Sequence, residues 1–115
     1  MKMVYVCSAF QGKEENLKKA VEYGKQVITE GNLPIIPHVF YGVTGLLNDN
    51  IINERCIGLS FGIELLMQCD ELRVYTDATG TITKGMDLEI AKWMDIHGKK
   101  GLKYITHGGS DNDNN

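Results

Sequence analysis

An α/β three-layer sandwich built on a parallel sheet is predicted by three features of this chain. Short apolar runs alternate with segments of helical periodicity in the order β-α-β-α-β-α-β. The first run is apolar almost throughout, as befits a strand covered on both faces. The connections between strands fit right-handed crossovers. The expected sheet is flavodoxin- or Rossmann-like, with its four parallel strands in the order 2-1-3-4.

Each element has its own signal. Residues 3–7, Met-Val-Tyr-Val-Cys, mix β-branched and aromatic side chains and form the first strand. In residues 14–30 the positions Leu17, Ala20, Val21, Gly24, Val27 and Ile28 trace one helical face, and Gly31-Asn32 is the stop. Residues 33–38 are extended by Pro34 and Pro37 around an apolar centre; proline lacks the ladder N–H, so this strand belongs at a sheet edge. Residues 39–50 form the longest irregular connection, of a length that in a compact domain is usually functional. From Ile51 the residues Ile52, Cys56, Leu59, Ile63 and Leu66 recur every three or four positions, giving a second helix to Gln68. Residues 71–76 are the third strand. A third helix runs from Gly85 to His97-Gly98 on Met86, Ile90, Trp93 and Met94, and residues 99–105 supply a last strand.

A chain of 115 residues holds one core and is too short for a second, so one domain is expected over residues 1–106. Residues 107–115, without an apolar side chain, are expected to be a disordered tail. The net charge of −3, with no stripe of Lys and Arg, argues against a nucleic-acid binder. No apolar run approaches the ~20 residues that span a bilayer, and no signal peptide is visible. Cys7, Cys56 and Cys69 are odd in number and in no metal spacing, which reads as reduced thiols in a cytoplasmic protein without a metal site. Neither a Gly-x-x-x-x-Gly-Lys-Ser/Thr loop nor a Gly-x-Gly-x-x-Gly turn follows the first strand, so no nucleotide cofactor is expected.

The chemistry is expected in residues 80–91, where a strand runs through a hydroxyl-rich loop directly into the third helix. On a helical wheel Glu89 lies about 60° from Met86 and about 40° from Trp93, on the shoulder of the face that must be buried. The N–H groups of the helix start favour its ionised form and can also hold an anion. Glu89 is thus a nucleophilic or basic carboxylate beside an anion cradle, or else a solvated helix-start glutamate. In parallel sheets ligands bind beyond the carboxyl ends of the strands, which brings residues 7–12, 37–41 and 76–89 to one crevice. Cys7 invites comparison with small cysteine phosphatases, but Lys13 stands six positions later in place of their arginine; the alternative is a small buried residue. Cys56 and Cys69 read as packing. His38 is a loop histidine or a catalyst, Asp70 opens a turn or contacts the ligand, and Tyr5 defaults to the core.

The motifs Tyr5-Val6-Cys7-Ser8-Ala9-Phe10-Gln11-Gly12, Pro34-Ile35-Ile36-Pro37-His38, Gly58-Leu59-Ser60-Phe61-Gly62-Ile63-Glu64, Cys69-Asp70-Glu71-Leu72 and Thr83-Lys84-Gly85-Met86-Asp87-Leu88-Glu89 stand in an order and spacing that carry a resemblance. Over residues 3–105 the chain resembles the nucleoside 2-deoxyribosyltransferase-like superfamily, in particular a small uncharacterised branch found in phages and Gram-positive bacteria. The resemblance implies that Glu89 attacks C1′ of a sugar, with Asp70 as a second catalytic candidate. It implies substrate contacts from Tyr5, Ser8, Phe10, Gln11, His38, Thr83, Gly85 and Met86. At the position of Thr83, relatives acting on free nucleosides carry an Asp and hydrolases of 5′-monophosphates carry a Ser, so the resemblance tilts toward a nucleotide. Gln11, Ala9 and Gly62 depart from the Arg, Ser and acidic residue that relatives carry there. The implied activity is hydrolysis or transfer at an N-glycosidic bond of a nucleotide or nucleoside; the alternative is a sensor or sponge that binds a nucleotide signal without turnover. A homodimer or higher homo-oligomer through the second or third helix is implied as well.

Overall fold

A computed structural model describes residues 1–10, 13–37, 39, 46–48 and 51–106. The elements follow in the order β1 (Met3–Cys7), α1 (Glu14–Thr29), β2 (Leu33–Ile35), α2 (Ile52–Gln68), β3 (Glu71–Thr76), α3 (Lys84–His97) and β4 (Leu102–Thr106). The four strands form one parallel sheet in the order β2-β1-β3-β4, as the sequence predicts. Val4 stands opposite Pro34 in β2 and Glu71 in β3. Pro34 therefore sits on an edge strand, where a missing N–H costs least. β2 is shorter than the expected 33–38, stopping at Ile35 ahead of Pro37. β4 begins at Leu102 because Gly98 and Gly101, both at positive φ, turn the chain between α3 and the strand. The expectation for the 107–115 tail lies outside the described residues.

Alternation along the strands sends residues to two cores. Tyr5, Cys7, Leu72 and Val74 face α2 and α3, where Leu66, Met86 and Trp93 meet them. Val4, Val6 and Tyr75 face α1, where Tyr23 and Val27 meet them. The buried face of α1 is rotated from the one its aliphatic residues trace. Ala20, Tyr23, Gly24 and Val27 are buried while Val21 and Ile28 are exposed, because the Tyr23 ring stacks on Tyr75 at 4.1 Å, 5° from parallel. A larger correction concerns α2. Among its described residues Leu66 alone is buried, and its apolar stripe lies open, with Ile52 78% and Leu59 58% exposed. Cys56, expected to pack, is exposed, whereas Cys69 is buried.

β3 is buried along its whole length and yet carries charge. Arg73 makes a bidentate pair with Glu30 at 2.9 Å, its Nε donates to Glu71 at 2.8 Å, and Nη1 reaches the Tyr75 hydroxyl at 3.3 Å. Tyr75 in turn donates to Gln26 at 3.0 Å. This network ties the end of α1 to the middle of the sheet.

Gly101 closes the turn into β4 at φ +75°, and a Cβ there would lie 2.5 Å from the Asp70 carbonyl oxygen and 3.0 Å from the Trp93 ring. Trp93, 1% exposed, donates its indole N–H to the Lys100 carbonyl at 2.8 Å, so the ring cannot swing away without losing that bond. Gly101→Ala is therefore expected to destabilise by more than the ~1–3 kcal/mol of backbone strain alone. A melting temperature within about 2 °C of the wild type would contradict this.

Candidate active site

The first turns of α3 place its functional groups. Thr83 is the N-cap, its Oγ1 accepting the Met86 N–H at 3.2 Å. Met86 is pulled into the core, and Glu89, one turn on, follows it, partly buried, to the face of the central strand β1. There the Tyr5 hydroxyl donates a hydrogen bond to Glu89 Oε2. The Cys7 Sγ lies 3.8 Å from the Met86 carbonyl oxygen and within hydrogen-bonding reach of the same carboxylate. Gly62 of α2 completes the surround, since a Cβ there would stand 3.6 Å from the Tyr5 hydroxyl oxygen.

Burial pushes the Glu89 carboxyl from its ordinary 4.5 up to about 7, and the bonds from Tyr5 and Cys7 oppose that rise only in part. The Cys7 thiol is pushed well above its usual range by its own burial, then by the charge and hydrogen bond of Glu89. A thiol held protonated is no nucleophile, which removes the cysteine-phosphatase comparison.

The raised carboxyl has a consequence for stability. Between pH 4.5 and about 7 the native state binds more protons at Glu89 than the unfolded state, so stability falls as pH rises through that window. The loss is on the order of 3 kcal/mol, and Glu89→Gln is expected to be spared it. Urea midpoints at pH 5 and pH 8 for both proteins check this; identical pH dependence would refute the raised carboxyl.

On the other side of β1 a cleft of about 300 Å³ opens at the carboxyl ends of the strands. Ser8 and Ala9 line it after β1, and Thr76 and Asp77 after β3. Lys13, Asn16, Lys19 and Tyr23 line it from α1, and Thr83 and Met86 from α3. Glu89 is not on its wall; the carboxylate and the cleft meet across the first turn of α3. Ser8 is 5% exposed, and among the described residues its Oγ is the buried side-chain polar atom with no hydrogen-bond partner.

The structure thus brings Tyr5, Ser8, Thr83, Met86 and Glu89 to one end of the sheet. Gly85 sits at the start of α3 with open space where a side chain would be. The Phe10 carbonyl accepts from the Lys13 N–H at 3.0 Å and Asn16 Nδ2 at 2.9 Å, which ties Phe10 to the start of α1. Asp70 is not brought there: it lies at the amino end of β3, where its Oδ2 accepts the Met3 N–H at 2.8 Å. Gln11 and His38 lie outside the described residues. Sequence reasoning missed the α1 wall, whose signal is the spacing Lys13, Asn16, Lys19, Tyr23 on one helical face. Among the described residues no group of His, Cys, Asp and Glu side chains could hold a metal ion, and no helix is long and apolar enough to cross a membrane.

Fold and site together define a class: a parallel α/β sandwich with a half-buried carboxylate on its third helix, beside a cleft at the strand ends. The chain belongs to the family described as a domain of unknown function, DUF7768, whose model matches residues 2–100. No curated protein matches it. Among solved structures it is similar to a 2-deoxyribosyltransferase from the psychrotolerant bacterium Bacillus psychrosaccharolyticus, with a TM-score of 0.75 and 15% identity, covering 98% of this chain and 77% of that one. It is similar to a 2-desoxiribosyltransferase from Leishmania mexicana, with a TM-score of 0.62 and 14% identity, covering 92% of this chain and 65% of that one. A prokaryotic SEFIR domain shares the fold too, with a TM-score of 0.61 and 14% identity, covering 98% of this chain and 77% of that one. At such identities the likeness establishes the fold, and any activity has to be argued from the site.

Proposed function

We propose that this protein hydrolyses or transfers at the N-glycosidic bond of a nucleotide or nucleoside, with Glu89 as the nucleophile. The observation that carries the reading is the half-buried Glu89 carboxyl, raised to about 7 and bonded by the Tyr5 hydroxyl, on a fold shared with two 2-deoxyribosyltransferases. A carboxylate so poised is ionised in a useful fraction at neutral pH and is poorly solvated, both of which favour attack on carbon. One oxygen of Glu89 bonds to C1′ as the C1′–N bond breaks, and the base leaves with the electron pair and takes up a proton. Water or a second base then attacks C1′ and releases the carboxylate. Tyr5 fixes the rotamer of the nucleophile. The Thr83 hydroxyl and the N–H groups near Gly85 hold an anionic group of the substrate. Ser8, Phe10, Gln11, His38 and Met86 are the remaining substrate contacts, and Asp70 takes no part.

A second copy of the chain covers the open stripe of α2 in this reading. Ile52, Leu59, Ile63 and Met67 are exposed on a helix that also carries Gly62 beside Tyr5, so a homodimer formed there would also close the site. A non-catalytic binding module is the second reading, favoured by Gly62, which leaves no acidic side chain from α2 beside the Tyr5–Glu89 pair.

The test is to incubate the protein with ribo- and deoxyribonucleosides and their 5′-monophosphates and to follow free base by chromatography. Release of base supports the enzyme. Retention of ligand without release from any compound supports the binding module and rejects the enzyme.

A further inference from the structure

We propose that the cleft between the starts of α1 and α3 is a second phosphoryl subsite, so that the molecule held at Glu89 is a nucleotide with two or more linked phosphoryl groups. The inference deepens the glycosidic reading, on which it rests for the placing of the sugar and for the anion site at Thr83, and it adds the α1 wall, which that reading does not use.

Extent is the first. The cleft, about 300 Å³, is lined from Thr83 and Met86 across to Ser8, Lys13 and Lys19, so it has room for a second phosphoryl group beside the first. Donors are the second. The 16-residue helix α1 opens on the cleft with Lys13 as its N-cap, and the Lys13 side chain makes no cap hydrogen bond to its first N–H groups. The first turn of α3 opens on the same cleft from the opposite wall, so two helix starts point at one volume.

The third feature is the Ser8 hydroxyl. Tyr5 and Cys7 face α2 and α3, so alternation turns Ser8 toward α1, onto the wall of the cleft, where its buried Oγ has no partner among the described residues. A buried hydroxyl without a partner is costly, and a ligand acceptor in the cleft removes that cost.

Charge alone would not choose an anion, because Glu15 and Asp77 line the cleft together with Lys13 and Lys19. Asp77 is held ionised by the Thr79 N–H at 2.9 Å and the Thr79 hydroxyl, and Lys19 lies close enough to offset its charge. Lys13, by contrast, makes no ion pair among the described residues. A first phosphoryl group at Thr83, next to the sugar, and a second between Ser8, Lys13 and Lys19 would together use the donors on both walls.

The experiment uses Glu89→Gln protein, to keep ligands intact, and calorimetry without divalent cations. The probes are the adenine, guanine, cytosine, uracil and thymine nucleoside 5′-mono- and diphosphates and inorganic pyrophosphate. The best diphosphate is expected to bind at least ~10-fold more tightly than its monophosphate, and pyrophosphate to compete with it. In the Lys13→Ala/Lys19→Ala background that ratio should fall to about 1 with monophosphate affinity kept. Ser8→Ala should lower the ratio without lowering the melting temperature, since it removes a costly buried hydroxyl. Equal binding of mono- and diphosphates, or a preference that survives the lysine substitutions, overturns the subsite. The two readings fail separately. Base released with the same kcat/KM from both forms sinks the subsite alone, whereas lysine-dependent diphosphate binding with no base released by wild-type protein sinks only the glycosidic step.

Discussion

Replacing Glu89 by glutamine is expected to lower base release by at least ~10³-fold, a barrier increase of about 4 kcal/mol, while ligand affinity changes far less. The amide keeps the shape of the carboxyl but cannot form the glycosyl ester. Tyr5→Phe separates positioning from chemistry. The Tyr5 hydroxyl holds the Glu89 carboxyl below where burial alone would put it, so its loss moves the carboxyl above about 7. The wild-type rate should therefore rise with pH through about 7, and the Tyr5→Phe profile should be displaced to higher pH with part of its maximal rate retained. Base release that persists at wild-type levels in Glu89→Gln would take Glu89 out of the mechanism.

Arg73→Ala is expected to produce the largest loss of stability, about 3–5 kcal/mol from a total of ~5–15. The guanidinium is 5% exposed, and burial works against its charge; the bonds to Glu30, Tyr75 and Glu71 outweigh that penalty and hold it protonated. Its removal leaves the Glu71 carboxylate, itself 2% exposed, with Lys103 at 3.5 Å and Lys2 at 3.9 Å as its only cations among the described residues. The half-exposed lysines cannot supply the planar fork of arginine. Combining Arg73→Met with Glu71→Gln removes both charges and should recover much of the loss. Urea unfolding measures each step, and a cost below ~1 kcal/mol for Arg73→Ala would show the network to be dispensable.

The sheet was legible because β1 and β3 are near-continuous runs of strand-forming residues, and Pro34 marked its own strand as an edge. The position of Glu89 was legible too. The helical period that buries Met86 and Trp93 leaves it on the rim of the same face, where it meets Tyr5. What periodicity cannot supply is the identity of the covering partner. It finds an apolar stripe on α2 but not that the sheet leaves it bare, and it misses Tyr23 because that ring is buried by a particular neighbour, Tyr75, 52 positions away in sequence (75 − 23 = 52). The placement of Asp70 was legible as well, since it precedes its strand and so lies at the end of the sheet opposite to that where ligands gather in parallel sheets. The partners of Arg73 were legible only in part. Glu71 shares its face at a spacing of two, whereas Glu30 arrives through the packing of α1.

The central position of β1 governs how the sheet can assemble. Its pairing with β2 follows after one helix, but Met3 and Asp70, bonded to each other where β1 and β3 begin to pair, are separated by 67 residues. The first strand must wait for a distant stretch of chain before it has neighbours on both sides. Loop closure on that scale precedes the contacts that reward it, so refolding should be slower than in a helical bundle of this length. Until β3 docks, Val4, Tyr5 and Val6 present an open apolar edge, and in that interval the chain is most exposed to association with other unfolded copies.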